Sequence, residues 1–415
     1  MTRYVLLGNS AAAVGCIEGI RRLDTGGTIT VVSSEPYFTY SRPLISYLLE
    51  GRTTRERMAY RPADFYERNG VTPLLGRTAL ALDPEKKTVR LDDGRLIPYD
   101  KLLVATGSRP FVPPMEGLDG VEKAFTFMSL DDAEALEAAL TPETRVLIVG
   151  AGLIGLKCAE GIRERVKSID VADLAERVLP SVLDEAGAAR IRRVMEAHGV
   201  RFHLGESVKR FEKGAALLTG GETVPFDVLV LAVGVRPNTG LVKEAGGEVR
   251  RGIVTDEFGR TSLPEIYAAG DCAESFDVSA GEYRVLALLP NAYRQGECAG
   301  LHMAGGSGAA FGKAIPMNAA GFFGAHIITA GSYVGEDWVR ETDTAYKRLF
   351  VKDGVLKGYI LVGDVERAGI YTALIRNRTP LDTIDFERMR EKPQLMAFTR
   401  DERARLLGAV PQESA

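Results

Sequence analysis

The sequence predicts an α/β fold in which two related units, one inserted into the other, are followed by a smaller α+β unit. Two repeats lead to this prediction. A short apolar strand, a turn rich in small residues and a helix occur near the N-terminus and again from residue 145. Each copy is followed by the same pattern, aromatic–Asp, apolar strand, Ala-x-Gly-x-Arg-Pro, at 99–110 and at 226–237. Because strands buried on both faces carry continuous apolar runs, each unit is expected to contain a parallel sheet.

The composition is ordinary for a globular protein, with 45% hydrophobic and 26% charged residues. A chain of 415 residues exceeds the size at which one core keeps growing, so about two to three domains are expected. The formal charge of −4 gives no reason to expect a nucleic acid or an anionic membrane as partner. No apolar run reaches the roughly 18 residues that span a bilayer, and no basic segment precedes the first apolar run as in a signal peptide. We therefore expect a cytoplasmic enzyme.

The glycine-rich turn at 150–155 is the clearest functional motif. In such a turn the first glycine lets the chain leave the strand, the second lets a pyrophosphate approach, and the third packs the helix against the strand. The helix then directs free N–H groups at the phosphates. Asp173 lies about 20 residues on, where an acid accepts a ribose hydroxyl. The order of these parts predicts a Rossmann-like dinucleotide site, the alternative being a strand–helix turn without a ligand. The residues concerned are Gly150, Gly152, Leu153, Ile154, Gly155 and Asp173.

The N-terminal copy of this turn, at 8–13, departs from the pattern at two places. Ser10 replaces the second glycine and Ala13 the third. Alanine is tolerated at the third place, whereas serine at the second requires an unstrained backbone. The next strand ends at Glu35, again the position of a ribose-binding acid. Taken alone, this segment predicts a nucleotide site and a turn without a ligand equally well. The matching turn at 150–155 favours the nucleotide site.

The Gly-x-Arg-Pro ends of the repeats predict where the chain passes between the units, because proline fixes φ and cannot extend a ladder. The predicted domains are 1–111 with 236–308, 112–235, and 309–392, followed by a polar tail at 393–415. A flexible linker is expected at 305–310. Asp353-Gly354 predicts a hairpin, and a helix is expected around 369–378. The tail holds a short amphipathic piece at 401–407, whose alternative interpretation is a frayed surface end.

Together these motifs resemble the flavin-dependent pyridine nucleotide oxidoreductases, the superfamily of the glutathione reductase-like enzymes. Within that superfamily the chain is most similar to NADH:rubredoxin reductases and to the flavoprotein portion of NADH-dependent nitrite reductases. The resemblance covers nearly all of residues 1–392. It is carried by 8–13 with Glu35, 40–43, 105–107, 150–155 with Asp173, 268–271 and 361–364.

This resemblance implies that the first unit binds FAD and that the inserted unit binds NAD(P)H. Glu35 would bind the FAD ribose, Asp271 the ribityl chain, and Asn291 and Ala292 would face the pyrimidine edge of the flavin. The implied FAD site comprises Gly8, Ser10, Ala11, Ala12, Ala13, Glu35, Arg42, Pro43, Ala105, Thr106, Gly107, Arg109, Gly270, Asp271, Asn291 and Ala292. The implied NAD site comprises Gly150, Gly152, Leu153, Ile154, Gly155, Asp173, Val233 and Gly234.

Three departures from the family's patterns bear on the chemistry. The disulfide-reducing branches carry a cysteine in or after the segment held here by Ser41 and Arg42, and this chain has none there. Ferredoxin reductases often have a lysine where this chain has Tyr47, and most relatives have a glutamate near the nicotinamide where it has Lys157. The four cysteines lack CxxC or metal-ligand spacing, so we expect no metal site and no redox disulfide between cysteines close in sequence. Cys16 and Cys158 lie on the helices that follow the two turns, where we expect them to be packing residues.

The favoured function is an NADH-dependent FAD reductase that passes electrons to an iron–sulfur carrier of the rubredoxin or ferredoxin type, or to a partner subunit. NADH would deliver a hydride to the flavin, which would release the electrons singly, without a side-chain nucleophile. Asp173 without an arginine directly after it favours NADH over NADPH, although Arg177 leaves this open. The alternatives are a flavin NADH oxidase using oxygen and an NADH-sensing binding module. A homodimer and a hetero-complex both remain open.

A basic stretch suggests how an acceptor docks. Residues 347–378 contain seven Lys or Arg and three Asp or Glu, so seven minus three gives +4 in a chain that is negative overall. The hypothesis is that Lys347, Arg348, Lys352 and Lys357 steer an acidic iron–sulfur partner. The alternative is a face that is merely solvated.

Overall fold

The structure is a computed structural model that describes residues 1–307 and 310–406. For residues 405 and 406 it describes the backbone alone. The first segment contains β1 Arg3–Leu7, α1 Ala11–Arg21, β2 Thr28–Ser33, α2 Ile45–Leu49, α3 Phe65–Arg68, β3 Val71–Leu75, β4 Ala79–Asp83, β5 Thr88–Leu91, β6 Leu96–Pro98, β7 Lys101–Val104 and β8 Ser108–Pro110. The next contains β9 Ala124–Thr126, α4 Leu130–Ala139, β10 Arg145–Val149, α5 Leu153–Ile162, β11 Ser168–Asp173, α6 Glu185–Ala197, β12 Val200–Leu204, β13 Val208–Glu212, β14 Ala215–Leu218, β15 Thr223–Pro225 and β16 Val228–Leu231.

The chain then returns to the first unit and continues into the C-terminal one. The returning segment contains β17 Val235–Pro237, α7 Gly240–Glu244, β18 Ile266–Ala268, β19 Glu274–Asp277, β20 Glu282–Val285 and α8 Leu289–Met303. The C-terminal segment contains β21 Met317–Phe322, β22 Ala325–Gly331, β23 Glu336–Glu341, β24 Tyr346–Lys352, β25 Val355–Val362, α9 Ala368–Asn377, α10 Phe386–Glu391 and α11 Arg400–Leu406.

Two five-stranded parallel sheets confirm the predicted α/β class. Their strand orders are β18-β7-β1-β2-β3 and β12-β11-β10-β16-β9. Written in the same direction, the orders match strand for strand. At one edge the two sheets use different strands. In the first sheet β18, which comes after β7 in the chain, lies next to β7; in the second sheet β9, which comes before β10 in the chain, lies next to β16. The sheets therefore share a doubly wound plan with different strands at one edge.

The repeat extends to individual hydrogen bonds. Arg3, the first residue of β1, donates its backbone N–H to Asp100 Oδ2 at 2.8 Å and its Nη2 to Oδ1 at 2.8 Å. Arg145, the first residue of β10, makes the same two bonds to Asp227 at the same distances. These bonds hold the pKa of both carboxyls at about 2, and in each case the arginine side-chain bond is the largest cause. The aromatic–Asp positions of the repeat thus tie the central strand to its neighbour in both units.

The two Gly-x-Arg-Pro segments pair with each other. Strands β8 and β17 form a two-stranded antiparallel ribbon in which Arg109 lies opposite Arg236. Both passages between the units therefore run side by side. The ribbon agrees with the predicted passages, and the exact domain bounds remain those proposed from the sequence.

Helices α1 and α8 cross at glycines, which positions α8 beside the first sheet. A Cβ on Gly15 would lie 2.1 Å from Tyr293 O, and one on Gly296 would lie 1.9 Å from Ala12 O. Only glycine allows backbones to approach this closely. The crossing fixes the N-terminal end of α8 near the glycine turn at 8–13.

The C-terminal unit is a five-stranded antiparallel sheet, β21-β22-β25-β24-β23, with α9 packed on it. Asp353 and Gly354 join β24 to β25 with φ values of +54° and +70°, which confirms the predicted hairpin. Ala397 and Phe398, assigned from the sequence to the polar tail, are buried against this unit. The amphipathic piece at 401–407 corresponds to α11 as far as Leu406; Leu407, like 308–309 of the predicted linker, lies outside the described residues.

All four cysteines are buried, as expected for Cys16 and Cys158, and none forms a disulfide with another described residue. Burial raises the pKa of Cys16 and Cys158 well above the usual thiol range. Within residues 1–307 and 310–406, no group of three or more His, Cys, Asp or Glu is placed to hold a metal ion. No helix in those ranges is long and apolar enough to cross a bilayer.

Candidate functional site

A cleft of about 520 Å³ opens at the carboxyl edge of the first sheet, where β1, β2, β7 and β18 end. This is the edge at which ligands bind in open α/β sheets. Most of the residues predicted for the first nucleotide site line it. They are Gly8, Ser10, Ala11, Ala12, Glu35, Arg42, Ala105, Thr106, Gly107, Arg109, Gly270, Asp271 and Ala292.

The turn after β1 has the geometry that a pyrophosphate site requires. Gly8 has φ +117°, and a Cβ there would lie 2.1 Å from Ala105 O. Ser10 precedes α1 in extended conformation, with φ −130°, and does not cap the helix with its side chain. The replacement of glycine by Ser10 is therefore unstrained. The first N–H groups of α1 remain available to an anion at the cleft.

Asp271 supplies a carboxylate to the wall of the cleft. Burial raises its pKa, while the Ser108 hydroxyl and the charge of Arg42 act in the opposite direction. Ser108 Oγ donates to Asp271 Oδ2 at 3.3 Å, and this is a long bond for a hydroxyl donor. A half-buried carboxylate whose one hydrogen bond among the described residues is long suits a ligand rich in hydroxyl groups.

Glu35 forms an ion pair with Arg42, an arrangement that the sequence did not predict. Arg42 also donates from Nη1 to Tyr40 Oη at 3.3 Å and to Met128 O at 3.4 Å. Met128 belongs to the inserted segment. The pair therefore fixes the acid at the end of β2 and joins the two units beside the cleft.

Three predicted members of the first site do not line the cleft. Ala13 is fully buried in the core between α1 and the sheet, and Pro43 is exposed. Asn291 is buried, and its Nδ2 donates to Ile315 O at 3.2 Å. At the start of α8 the structure thus places Ala292, rather than Asn291, on the cleft wall.

Other lining residues had no motif to indicate them. Asn238 and Thr106 exchange two hydrogen bonds, Thr106 Oγ1 to Asn238 O at 2.8 Å and Asn238 Nδ2 to Thr106 O at 2.9 Å. Asn238 directly follows the second Arg-Pro, at the end of β17. Because β17 pairs with β8, Asn238 lies close to Thr106, which precedes β8. Sequence reasoning also missed Asn9, Arg77, Thr78, Met128 and Ser129.

The second glycine turn repeats this geometry in the inserted unit. Gly150 has φ +116°, and a Cβ there would lie 2.3 Å from Ala232 O; a Cβ on Gly155 would lie 2.0 Å from Gly150 O. A Cβ on Gly152 would meet nothing within 4 Å, which leaves room beside the backbone at the start of α5. Leu153 and Ile154, in the first turn of α5, are half-buried. Gly150 therefore forms the tight turn, Gly152 leaves open space beside the backbone, and Gly155 allows the helix to contact the turn.

Asp173 ends β11 beside this turn. Its Oδ2 accepts from Ala151 N at 2.6 Å, and its Oδ1 accepts from Ala175 N at 2.8 Å. Leu174, which follows it, is 74% exposed. The guanidinium of Arg177 donates to the carbonyls of Leu183 at 3.2 Å and Pro180 at 3.3 Å. The acid is thus held by the glycine turn, and Arg177 is engaged with backbone.

Val233 and Gly234 follow β16 at the same edge of the second sheet. Val233 is half-buried and Gly234 is exposed with φ +106°. They correspond in the repeat to Thr106 and Gly107, which line the cleft of the first unit.

Lys157 lies where three parts of the chain meet. It forms an ion pair with Glu160 on α5, and its Nζ donates to Gly321 O on β21 at 3.2 Å. Its ammonium also lies 4.7 Å from the centroid of the Tyr47 ring on α2. Glu160 Oε1 in turn accepts from Phe323 N at 2.6 Å. The two departures noted in the sequence, Tyr47 and Lys157, are therefore in contact with each other.

The structure contradicts half of the docking set proposed from the sequence. Lys347 is buried, burial lowers its pKa, and its Nζ donates to Glu391 O at 2.9 Å. Arg348 pairs with Asp184 at 2.9 Å and with Asp337 at 2.7 Å. Neither charge is free to steer a partner. Lys352 remains exposed and Lys357 half-buried.

Comparison with known proteins gives two family matches. A family described as Pyridine nucleotide-disulphide oxidoreductase matches residues 2–296, and one described as Rubredoxin NAD+ reductase C-terminal domain matches residues 316–379.

Among curated relatives, the NADH-dependent phenylglyoxylate dehydrogenase subunit epsilon of Aromatoleum evansii is 33% identical over 92% of this chain and 93% of its own length. The assimilatory nitrate reductase electron transfer subunit of Bacillus subtilis is 30% identical over 91% of this chain, which spans only 49% of that relative. Among solved structures, the covalent putidaredoxin reductase–putidaredoxin complex matches with a TM-score of 0.88 at 24% identity, over 99% of both chains. At that identity the likeness concerns the fold.

Proposed function

Because the chain belongs to the pyridine nucleotide-disulphide oxidoreductase family and is an NADH-dependent FAD oxidoreductase, we propose that it passes electrons from NADH through FAD to an iron–sulfur carrier or a partner subunit. The observation that carries the proposal is the cleft at the end of the first sheet, together with its counterpart turn at 150–155.

The cleft is suited to FAD in its chemistry. The glycine turn and the N-terminal end of α1 would hold the pyrophosphate, since both leave N–H groups without partners. Asp271, half-buried and weakly hydrogen-bonded, would accept hydrogen bonds from hydroxyl groups of the ribityl chain. Glu35, held by Arg42, would accept those of the ribose. When bound, FAD supplies the exchange between hydride transfer and single-electron transfer.

The inserted unit would hold NADH by the corresponding residues. The turn at 150–155 and the start of α5 would bind the pyrophosphate, and Asp173 the adenosine ribose. A carboxylate at this position repels a 2′-phosphate. Arg177, the cation that sequence reasoning left as a means of accepting NADPH, is directed to backbone carbonyls, which supports the preference for NADH.

Several observations support a one-electron protein acceptor. The residues 316–379 match the C-terminal domain of rubredoxin reductases, and relatives carry names such as electron transfer subunit. In the part of the chain that the structure describes, the four cysteines are buried without a disulfide, so electrons do not leave through a dithiol. Relatives named as subunits support action within a larger assembly, and dependence on NADH supports a cytoplasmic setting.

The test is steady-state NADH oxidation with several acceptors compared side by side. We expect rapid turnover with ferredoxin or rubredoxin and slow turnover with oxygen alone. Oxygen consumption that matches the fastest rate would instead indicate an NADH oxidase. Reduction by NADH followed by slow reoxidation with every acceptor would indicate a sensing module.

A further inference from the structure

The N-terminal end of α8 lies at a junction between the cofactor cleft and the C-terminal unit. Ala292 lines the cleft, and Asn291 Nδ2 donates to Ile315 O at 3.2 Å. Two residues before Ile315, Lys313 Nζ donates to Asn377 Oδ1 at 3.1 Å, at the end of α9. These two bonds bring the first turns of α8, the segment at 313–315 and the end of α9 together beside the cleft.

Four basic residues lie on the segments that meet at this junction and form what we call the basic patch: Arg294, Lys313, Arg376 and Arg378. Arg294 follows Asn291 by three residues, and its side chain is 70% exposed. Lys313 and Arg378 are exposed, and Arg376 is half-buried. Arg294 therefore presents its cation to solvent within one helical turn of Ala292, which lines the cleft.

The charges of the basic patch are poorly compensated. Across the described ranges, no carboxylate oxygen lies within 4.0 Å of the side-chain nitrogens of Lys313, Arg376 or Arg378. Arg294 reaches Glu297 only at 3.8 Å, and Glu297 pairs with Arg22 at 2.6 Å. Arg376 Nε is buried without a hydrogen-bond partner among the residues that the structure describes. The pKa of Arg376 is lowered first by burial and then by the charge of Arg294.

Such an arrangement is unfavourable in the isolated chain, because like charges repel and a partly desolvated cation without an acid costs free energy. A shortage of acids is not its cause, since the chain has 56 Asp and Glu against 52 Lys and Arg. Arginines elsewhere, such as Arg3 and Arg145, are held in bidentate pairs. The missing counter-charges are explained if a partner supplies them.

We propose that the basic patch is the docking surface for an acidic iron–sulfur electron carrier. The inference deepens the proposed function and rests on it. A carrier seated on the patch would lie against the start of α8, beside the cleft. Acidic groups of the carrier would pair with the four cations, raise the rate of encounter and lose that advantage as salt screens the charges.

The test uses the flavin-loaded protein with two charge-reversed residues, Arg294→Glu and Arg378→Glu. The probes are an acidic [2Fe–2S] ferredoxin and an acidic rubredoxin, with the uncharged quinone menadione as small acceptor. We expect the second-order rate constant with the carriers to fall about tenfold or more at low ionic strength, and its salt dependence to flatten. Reduction of menadione by NADH should change far less.

The matched control reverses two other exposed basic residues, Arg90→Glu on β5 and Lys209→Glu on β13, which, like Arg378, have no carboxylate within 4.0 Å among the described residues. An equal fall in both variants would reflect net charge alone and would overturn the assignment of the patch. So would rates with both carriers that do not respond to Arg294→Glu and Arg378→Glu. If the unmodified protein reduces menadione but neither carrier, the docking proposal and the iron–sulfur acceptor both fail, while the NADH-dependent flavoprotein remains.

Discussion

At the scale of single residues, the repeat supplies its own comparisons. Tyr99 and Phe226 occupy the same position in the two units, each directly before the acid that binds the first arginine of the central strand. Tyr99 is fully buried, its hydroxyl has no hydrogen-bond partner among the described residues, and burial raises its pKa to about 12. The second unit shows that a phenyl ring suits the same position.

We therefore expect Tyr99→Phe to stabilise the protein by about 1 kcal/mol, because it removes a buried hydroxyl without a partner. The reverse change, Phe226→Tyr, should destabilise it by about 1–3 kcal/mol for the same reason. Chemical unfolding followed by circular dichroism measures both. A loss of stability in Tyr99→Phe would mean that the hydroxyl has a partner, such as a bound water.

The paired acids Asp100 and Asp227 make stability depend on acid pH. The arginines hold their pKa values at about 2, below the ordinary value of 3.8. Each ion pair therefore stabilises the fold fully above about pH 4, and this stabilisation is lost as the pH falls from about 4 to 2. Both pairs are more than one-third exposed, so salt should weaken the effect. Asp227→Asn should flatten the dependence of unfolding free energy on pH between 4 and 2. An unaltered pH profile in this variant would contradict the ion-pair assignment.

At the scale of elements, the helix α5 has a different partner at each end. Its N-terminal end faces the glycine turn, which Asp173 braces through Ala151 N. Its second turn carries Lys157 and Glu160, which reach α2 and the β21–β22 turn. The helix thereby links the proposed NADH site to the other two units.

Asp173→Ala should weaken NADH binding by roughly 1–2 kcal/mol, because charge-assisted hydrogen bonds to the ribose are lost. Part of this loss should come from the glycine turn, since Ala151 N loses its acceptor. The Michaelis constants for NADH and NADPH give the measurement. An unchanged constant for NADH, without a gain for NADPH, would refute the role given to Asp173.

Lys157→Met should destabilise the protein by about 3 kcal/mol, because the change leaves Glu160, whose side chain is 7% exposed, without its cation. The double variant Lys157→Met with Glu160→Gln should recover part of the loss. Lys167→Met is the control, since Lys167 pairs with an exposed acid, Glu143, and should change stability by less than about 0.5 kcal/mol. If thermal unfolding of Lys157→Met resembles that of the control, the three-way contact is not a stabilising one.

At the scale of the whole molecule, the features that could be predicted from the sequence are those that depend on a few residues close together in the chain. The glycine turns, the acids at 35, 173 and 271 and the hairpin at 353–354 each require a residue type at a fixed place, and the structure has these features in the expected positions. Their roles with FAD and NADH stay predictions.

The sequence could not predict contacts that only the assembled units create. Lysine is usually exposed, yet the ammonium of Lys347 lies against the carbonyl end of α10, where the helix dipole favours a cation. Arg348 reaches Asp184 in the inserted unit, and Arg42 joins Glu35 to Met128. The basic patch likewise combines residues from α8, from the segment before β21 and from the end of α9. The charge count over residues 347–378 therefore included Arg376 and Arg378 but not Arg294 and Lys313.

The proposed transfer of electrons from NADH through FAD to a one-electron carrier is tested most directly by one anaerobic stopped-flow experiment. Purified protein containing bound flavin is mixed with a single equivalent of NADH and then with oxidised ferredoxin. We predict one FAD per chain, full bleaching of its absorbance by NADH, and the subsequent reduction of two equivalents of ferredoxin. Absence of FAD after gentle purification and reconstitution, or a reduced protein that transfers electrons to oxygen but not to ferredoxin, would contradict it.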